Sequence, residues 1–422
     1  MRKIAYIFVW LFCVSIPLQE LAASVLVDVA GTVSRLAGLA AAMVGLAALI
    51  YDGRMRQFGV IHGVIILYLA WGGLTYLWSA DQAMTYARLT TNVQLLMMVL
   101  LFAQFASRED ENVGLLVAYV TGATISLFGL FWKLNSGVGY RLTVFNDRFT
   151  AFDNNPNDYA LALAIGIPIA WYLASRRISI YTTILGYGYT AIGFLGVLLT
   201  GSRGGLLAAV SGALFIPASM FFLGRRERYA AVAICAVGFA LAVKVTPDAV
   251  WDRLSTIELI AEDAPTSEME GINIRTVIWK QGFMEFASNP RTASIGLGAG
   301  AYKAGVTPLY GNELVAHNVY ISILLEQGIV GMVMFLTIMG MLIGTLKHLP
   351  PAERLMWIFT FFSWGVGVMF VTWEHTKNTW FVIGILAARS VTARYGSSVR
   401  PGFLAALFRR TRMGLKLRHH VH

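Results

Sequence analysis

The sequence predicts an all-α polytopic integral membrane protein, with about 12 transmembrane helices and one large loop containing short helices. Three observations carry that prediction. Of the 422 residues, 57% are hydrophobic and only 13% are charged, against about a quarter charged in a soluble domain; mean hydropathy is +0.64. Apolar runs follow one another from Ile4 to Ala388 with few polar interruptions. Their lengths suit helices crossing a bilayer about 30 Å thick, and none shows the alternation of a membrane barrel. A water-soluble enzyme is excluded.

The spans fall near residues 4–22, 30–50, 58–79, 89–106, 113–133, 156–175, 179–200, 204–223, 227–246, 318–346, 355–373 and 378–393. The first has the build of a signal peptide, with Met1-Arg-Lys before an apolar stretch and small residues at Ala22-Ala-Ser. It is read here as a span. The organisation expected is nine helices in 1–246, a loop over 247–316, three helices in 317–393 and a basic tail over 394–422.

Orientation follows from the positive-inside rule. With Arg2 and Lys3 cytoplasmic, the same side receives Arg54 and Arg56, Arg176 and Arg177, Arg225, Arg226 and Arg228, Lys347, Arg354 and the basic tail. Only Arg108-Glu-Asp-Glu fits poorly. Both termini are expected inside. The net charge of +10 lies in these short loops and the tail, so anionic membrane lipid is the expected partner and nucleic acid is not. Cys13 and Cys235 sit in separate apolar runs and build neither a disulfide nor a metal spacing.

The unusual polar clusters all face outward together. Over Asp248–Glu313 there are five Lys and Arg against nine Asp and Glu, with Pro247, Pro265, Pro290 and Pro308 punctuating the loop. Within it, Asn273–Ala287 reads as a helix capped by Asn273 and stopped by Asn289-Pro290. Arg275, Trp279 and Phe283, at i, i+4 and i+8, share one face with Phe286 close by. That pattern suits a stripe lying on the membrane interface, and equally a cation leading aromatic rings towards a lipid phosphate and sugars. Gly296-Leu-Gly-Ala-Gly lacks the spacing and context of a dinucleotide loop and reads as a place of close approach.

Arg203 stands in Thr200-Gly-Ser-Arg-Gly-Gly at a membrane edge. It can be a snorkelling residue of a tight turn, or a fixed guanidinium beside a helix start at Gly204, suited to phosphate. His317, where the loop enters the tenth span, can be an interfacial cap or the proton acceptor of a reaction near neutral pH. Asn318 and Tyr320 follow it, and Arg141, Arg148 and His375 complete the outward candidates for ligand contact. Asn155-Pro156 with Asp158 reads as a helix start, and Glu326 as a paired structural acid. No compact acidic pair or histidine spacing for a metal stands in the outward loops, and no metal or other cofactor is expected.

Taken in order, Phe152-Asp-Asn-Asn-Pro-Asn-Asp-Tyr, Gly201-Ser-Arg-Gly-Gly, Arg275-Thr-Val-Ile-Trp, Gly296-Leu-Gly-Ala-Gly, His317-Asn-Val-Tyr and Glu326-Gln-Gly-Ile-Val-Gly resemble the bacterial O-antigen ligase and O-antigen polymerase superfamily, mainly over residues 150–335. The resemblance implies an inner-membrane glycosyltransferase of lipopolysaccharide biosynthesis with its active site facing the periplasm. It implies a glycan donor linked to undecaprenyl diphosphate and no nucleotide sugar or metal. Carried over by position, His317 activates the acceptor hydroxyl, and Arg203 and Arg275 clamp the diphosphate. Arg141, Arg148, Trp279, Asn318, Tyr320 and His375 are expected around the substrate. The span count and single long outer loop look like the ligase, whose acceptor is the lipid A core. The polymerase, which uses another carrier-linked repeat, and a lipid-linked oligosaccharide flippase are the alternatives.

Overall fold

The computed structural model describes residues 1–18, 32–136, 148–151, 155–255, 273–306, 315–395 and 399–401. The helices are α1 (Arg2–Ser15), α2 (Val33–Asp52), α3 (Val60–Leu74), α4 (Gln82–Phe105), α5 (Glu109–Asn135), α6 (Pro156–Arg176), α7 (Ile180–Leu199), α8 (Arg203–Ala213) and α9 (Phe215–Ser219). They continue with α10 (Arg225–Val245), α11 (Asp248–Ser255), α12 (Asn273–Ser288), α13 (Pro290–Ile295), α14 (Tyr302–Val306), α15 (Val319–Leu346), α16 (Pro351–Gly367) and α17 (Lys377–Tyr395). The protein is an all-α polytopic membrane protein. Among the described residues, eight helices are long and apolar enough to cross a membrane. Of the other segments expected to span, α1, α8 with α9, α16 and α17 are shorter or carry more charge.

The centre of the bundle is α6, buried along almost its whole length. Apolar side chains alone do not bring helices together in lipid, so small residues at the contacts matter. Ala170 and Ala174 of α6 take the backbone of α7 at Gly186, and the Tyr189 ring of α7 lies over Gly166. Tyr189 and Tyr119 each satisfy their buried hydroxyl by donating to a carbonyl of α6, at Leu163 (2.8 Å) and Ala162 (2.9 Å). The start of α6 is as expected: Asn155 caps it by accepting from the Asn157 N–H at 2.9 Å, with Pro156 in its first turn.

The two ends of the bundle differ. At one end, arginines and acids pair: Arg56 with Glu111, Arg176 with Glu109 (2.7 Å), Arg389 with Glu353 (3.0 Å) and with Glu109 (3.5 Å), and Arg177 with Glu227 (2.9 Å). This explains the segment that fits the charge rule poorly. Glu109 and Glu111 are the acids that neutralise arginines gathered at that end. A short antiparallel pair, β1 (Arg54–Arg56) with β2 (Val399–Pro401), sets Met55 opposite Arg400 and brings the start of the tail onto the first basic loop.

The opposite end contains a break. Helix α15 leaves helical geometry at Gly328, where φ is 67° and ψ is −171°, a region that is essentially glycine-only. Backbone that is not helical needs its hydrogen bonds from the protein itself at such depth. The chain supplies them from the glycine-rich loop: Leu297 N–H donates to the Leu325 carbonyl (3.0 Å), and Gly298 N–H to the Glu326 carbonyl (2.8 Å). Trp71 donates to the Gln327 carbonyl at 3.1 Å. The approach is so close that a Cβ on Gly296 would strike the Glu326 carbonyl, and one on Gly328 the Ser294 carbonyl. The close approach expected of Gly296–Gly300 is therefore to the backbone of α15.

Gly328→Ala is expected to cost about 1–3 kcal/mol from the backbone conformation, with the clash against Ser294 added. Thermal unfolding of the purified variant in detergent checks this, and an unchanged transition would contradict it.

Candidate active site

The rim at the broken end is built on one irregular segment, residues 368–372, between α16 and α17. The Val319 N–H donates to the Val368 carbonyl at 3.0 Å, and the His317 N–H to Thr372 Oγ1 at 3.0 Å. On the other side of the segment, Phe370 packs against Gly204, where a Cβ would lie 2.6 Å from the Phe370 Cβ. The starts of α15 and α8, which carry His317 and Arg203, thus rest on the same five residues. Helix α8 begins at Arg203 itself, one residue before the expected start, with Ser202 as its cap accepting from the Gly205 N–H at 3.2 Å.

His317 is held on both sides. Its φ of 46° is left-handed, uncommon for a residue with a Cβ. Before it, the Ala316 carbonyl accepts from the Trp279 indole at 2.8 Å. After it, Asn318 caps α15 by accepting from the Tyr320 and Ile321 N–H groups at 3.0 and 3.1 Å. Burial pushes the His317 pKa down to about 4, and the positive charge of Arg275 pushes in the same direction. Arg275 and His317 are therefore electrostatic neighbours, and the imidazole is neutral at pH 7. Since the unfolded chain would protonate His317 near 6.5, this group favours the fold most above that pH. Its contribution is lost as pH falls from about 6.5 towards 4.

The helix that brings Arg275 is anchored differently from the sequence expectation. Ile278 is buried in a small cluster with Tyr302, Ala316, Ile321 and Leu325, against which Trp279 and Phe286 pack. Tyr302 donates its hydroxyl to the Ile278 carbonyl at 3.0 Å. Phe283 is 49% exposed and does not share the buried face. Gly282, beneath the Tyr302 ring, sets the rotation of α12 more than the aromatic spacing does.

Arg148 braces the turn before Arg203. It donates to the Thr200 carbonyl and to Asn157 Oδ1, both at 2.8 Å, and Asn157 Oδ1 also accepts from Ser202 at 2.8 Å. Tyr320 is half-buried and reaches the Gly365 carbonyl at 3.4 Å. Arg141 lies outside the described residues.

His375 is not brought to the rim with the others. Its ring is fully enclosed, bonded through Nδ1 to Asn92 Oδ1 at 3.0 Å, and burial lowers its pKa to about 3 with help from Arg88. It belongs to an internal group with Glu326 and Glu374, whose ligand atoms lie within 4.8 Å of one another. The distance in sequence between Glu326 and Glu374-His375 hid that group from spacing arguments. Thr372 and Phe370 also escaped the sequence reading, because nothing local marks a residue that supports another chain segment.

The left-handed backbone at His317 makes a prediction separate from chemistry. His317→Val is expected to lose about 1–2 kcal/mol, whereas His317→Asn, tolerated in this conformation, keeps the parent stability. Thermal melting of the two variants decides, and equal losses would count against the strained backbone.

No curated protein matches the chain. A family model described as O-antigen ligase matches residues 188–336, a stretch that takes in Arg203, Arg275, His317 and the Gly328 break. Over that stretch the chain is similar to the O-antigen ligase family.

Proposed function

We propose that this protein is an O-antigen ligase, transferring a glycan from undecaprenyl diphosphate to the lipid A core oligosaccharide at the periplasmic face of the bacterial inner membrane. Both termini are then cytoplasmic. The observation that carries the reading is a half-buried, neutral His317 under the charge of Arg275, with Arg203 starting the helix packed on the same segment. In the reaction, His317 accepts the proton of an acceptor hydroxyl while that oxygen attacks the anomeric carbon. The bond from that carbon to the diphosphate oxygen breaks, and the diphosphate leaves as an anion. Arg203 and Arg275 stabilise the negative charge that develops on it, a role for fixed cations in a poorly hydrated site. Attack opposite the leaving group inverts the anomeric carbon.

A base of pKa about 4 is weak by itself, since proton transfer works best when the pKa lies near the working pH. The donor corrects this. Its diphosphate offsets the charge of Arg275, so binding raises the pKa of His317 and couples base strength to the presence of substrate. Arg148 braces the Arg203 turn, Trp279 and Asn318 hold the backbone on either side of His317, and Tyr320 and Arg141 complete the proposed surroundings of the glycan.

The ligase reading over the polymerase rests on the span count and the single long outer loop. The break in α15 also favours one reading from another class, because interrupted helices with buried ionisable groups are usual in transporters. A flippase would move the carrier-linked glycan without cutting it.

The experiment is purified protein in detergent with a carrier-diphosphate glycan and lipid A core, without added metal or nucleotide sugar. Transfer to the core is expected, reduced about 10²–10⁴-fold in His317→Asn. Transfer only onto a second carrier-linked glycan would make the protein a polymerase, and no transfer with intact transport in vesicles a flippase. The acid limb of kcat/KM, which reports the free enzyme, is expected near pH 4. That of kcat, which reports the complex, lies higher. Coincident limbs would remove the proposed coupling between donor and base.

A further inference from the structure

The interior of the broken end holds a second constellation, off the rim. Glu326 lies seven residues into α15 from Val319, about 10 Å at the helical rise. Glu374 and His375 come from the segment that leads into α17. All three side chains are buried, with one ligand atom from each within 4.8 Å of the others.

Their hydrogen bonds are incomplete in a particular way. Glu326 accepts from the Gly300 N–H at 2.7 Å and, more distantly, from the Tyr302 N–H at 3.4 Å. Glu374 accepts on Oε1 from Ser322 at 2.8 Å, and its Oε2 has no partner. The Nδ1 of His375 meets Asn92 Oδ1. With that oxygen as acceptor, Nδ1 carries the proton and Nε2, also without a partner, presents a lone pair. A buried polar atom without a partner marks an ion or water that completes it, and here two such atoms are electron-pair donors in one group. The positive charge that faces them is Arg88, which acts on Glu326, Glu374 and His375. The Nε of Arg88 itself reaches no acceptor.

We propose that Glu326, Glu374 and His375 bind a divalent transition-metal ion of the Zn²⁺ or Mn²⁺ class. Two carboxylates and an imidazole are a ligand set for such ions, and a second residue fixing the far nitrogen of the imidazole, as Asn92 does, is the usual support of a metal-bound histidine. The ion ties the broken helix, through Glu326 and the Gly300 loop, to the segment entering α17. It is a structural ion, distinct from the diphosphate site, and does not depend on the transfer reading.

The test uses the full chain purified in detergent, stripped with a chelator, and then given Zn²⁺ or Mn²⁺ alone. Metal content by mass spectrometry is expected at about one equivalent per chain, with a rise in melting temperature. Glu374→Gln and His375→Ala are expected to lose both the metal and the thermal shift. Glu326→Gln is the weaker variant, because Glu326 also holds the Gly300 amide. Wild-type protein that takes up no stoichiometric metal and melts unchanged overturns the proposal, whatever the variants do. So does undiminished binding in a folded His375→Ala, and a water-filled or protonated cluster then replaces the ion.

Discussion

The hydrogen bonds from the His317 and Val319 amides onto residues 368–372 join the two helix starts that carry the candidate chemistry. They fix the start of α15 to the segment against which Gly204, next to Arg203, packs through Phe370. A backbone amide and a threonine hydroxyl are modest bonds, each worth about 1 kcal/mol net. Their importance is geometric. They set the left-handed turn at His317, and with it the direction in which the imidazole leaves the chain.

The break at Gly328 belongs to the same economy of hydrogen bonds. A continuous α15 would satisfy its own backbone and offer no carbonyls to the loop over 296–300. Interrupted, it offers the Leu325, Glu326 and Gln327 carbonyls to Leu297, Gly298 and Trp71. The glycine-rich loop is thereby fastened into the bundle, and α12, with Arg275, is carried by Ile278 and Tyr302 onto the start of α15.

Much of this was legible in the sequence, because apolar length dictates helices in a membrane and because Arg203, Arg275 and His317 are rare polar residues at the ends of apolar runs. Periodicity failed where packing overrode it. Phe283 stands on the stripe drawn by spacing and is nevertheless exposed, since contact between Gly282 and Tyr302 sets the helix rotation. His375 reads as an outer-face residue by its place between two spans, yet its ring meets Asn92 and lies beside Glu326 and Glu374. Glu109 and Glu111 break the charge rule in sequence only because their partners, Arg176, Arg389 and Arg56, arrive from elsewhere in the chain. Long-range partners leave no mark in local spacing.

The proposed transfer requires two guanidinium groups and one imidazole to act on a single lipid diphosphate. A structure of the protein in lipid nanodiscs with an undecaprenyl-diphosphate analogue tests it most directly. Diphosphate oxygens are expected within hydrogen-bond reach of both Arg203 and Arg275, with the His317 ring facing the carbon that bears the leaving group. Density for the diphosphate against one arginine alone, or on the far side of the bundle beside Arg56 and Arg176, would contradict it.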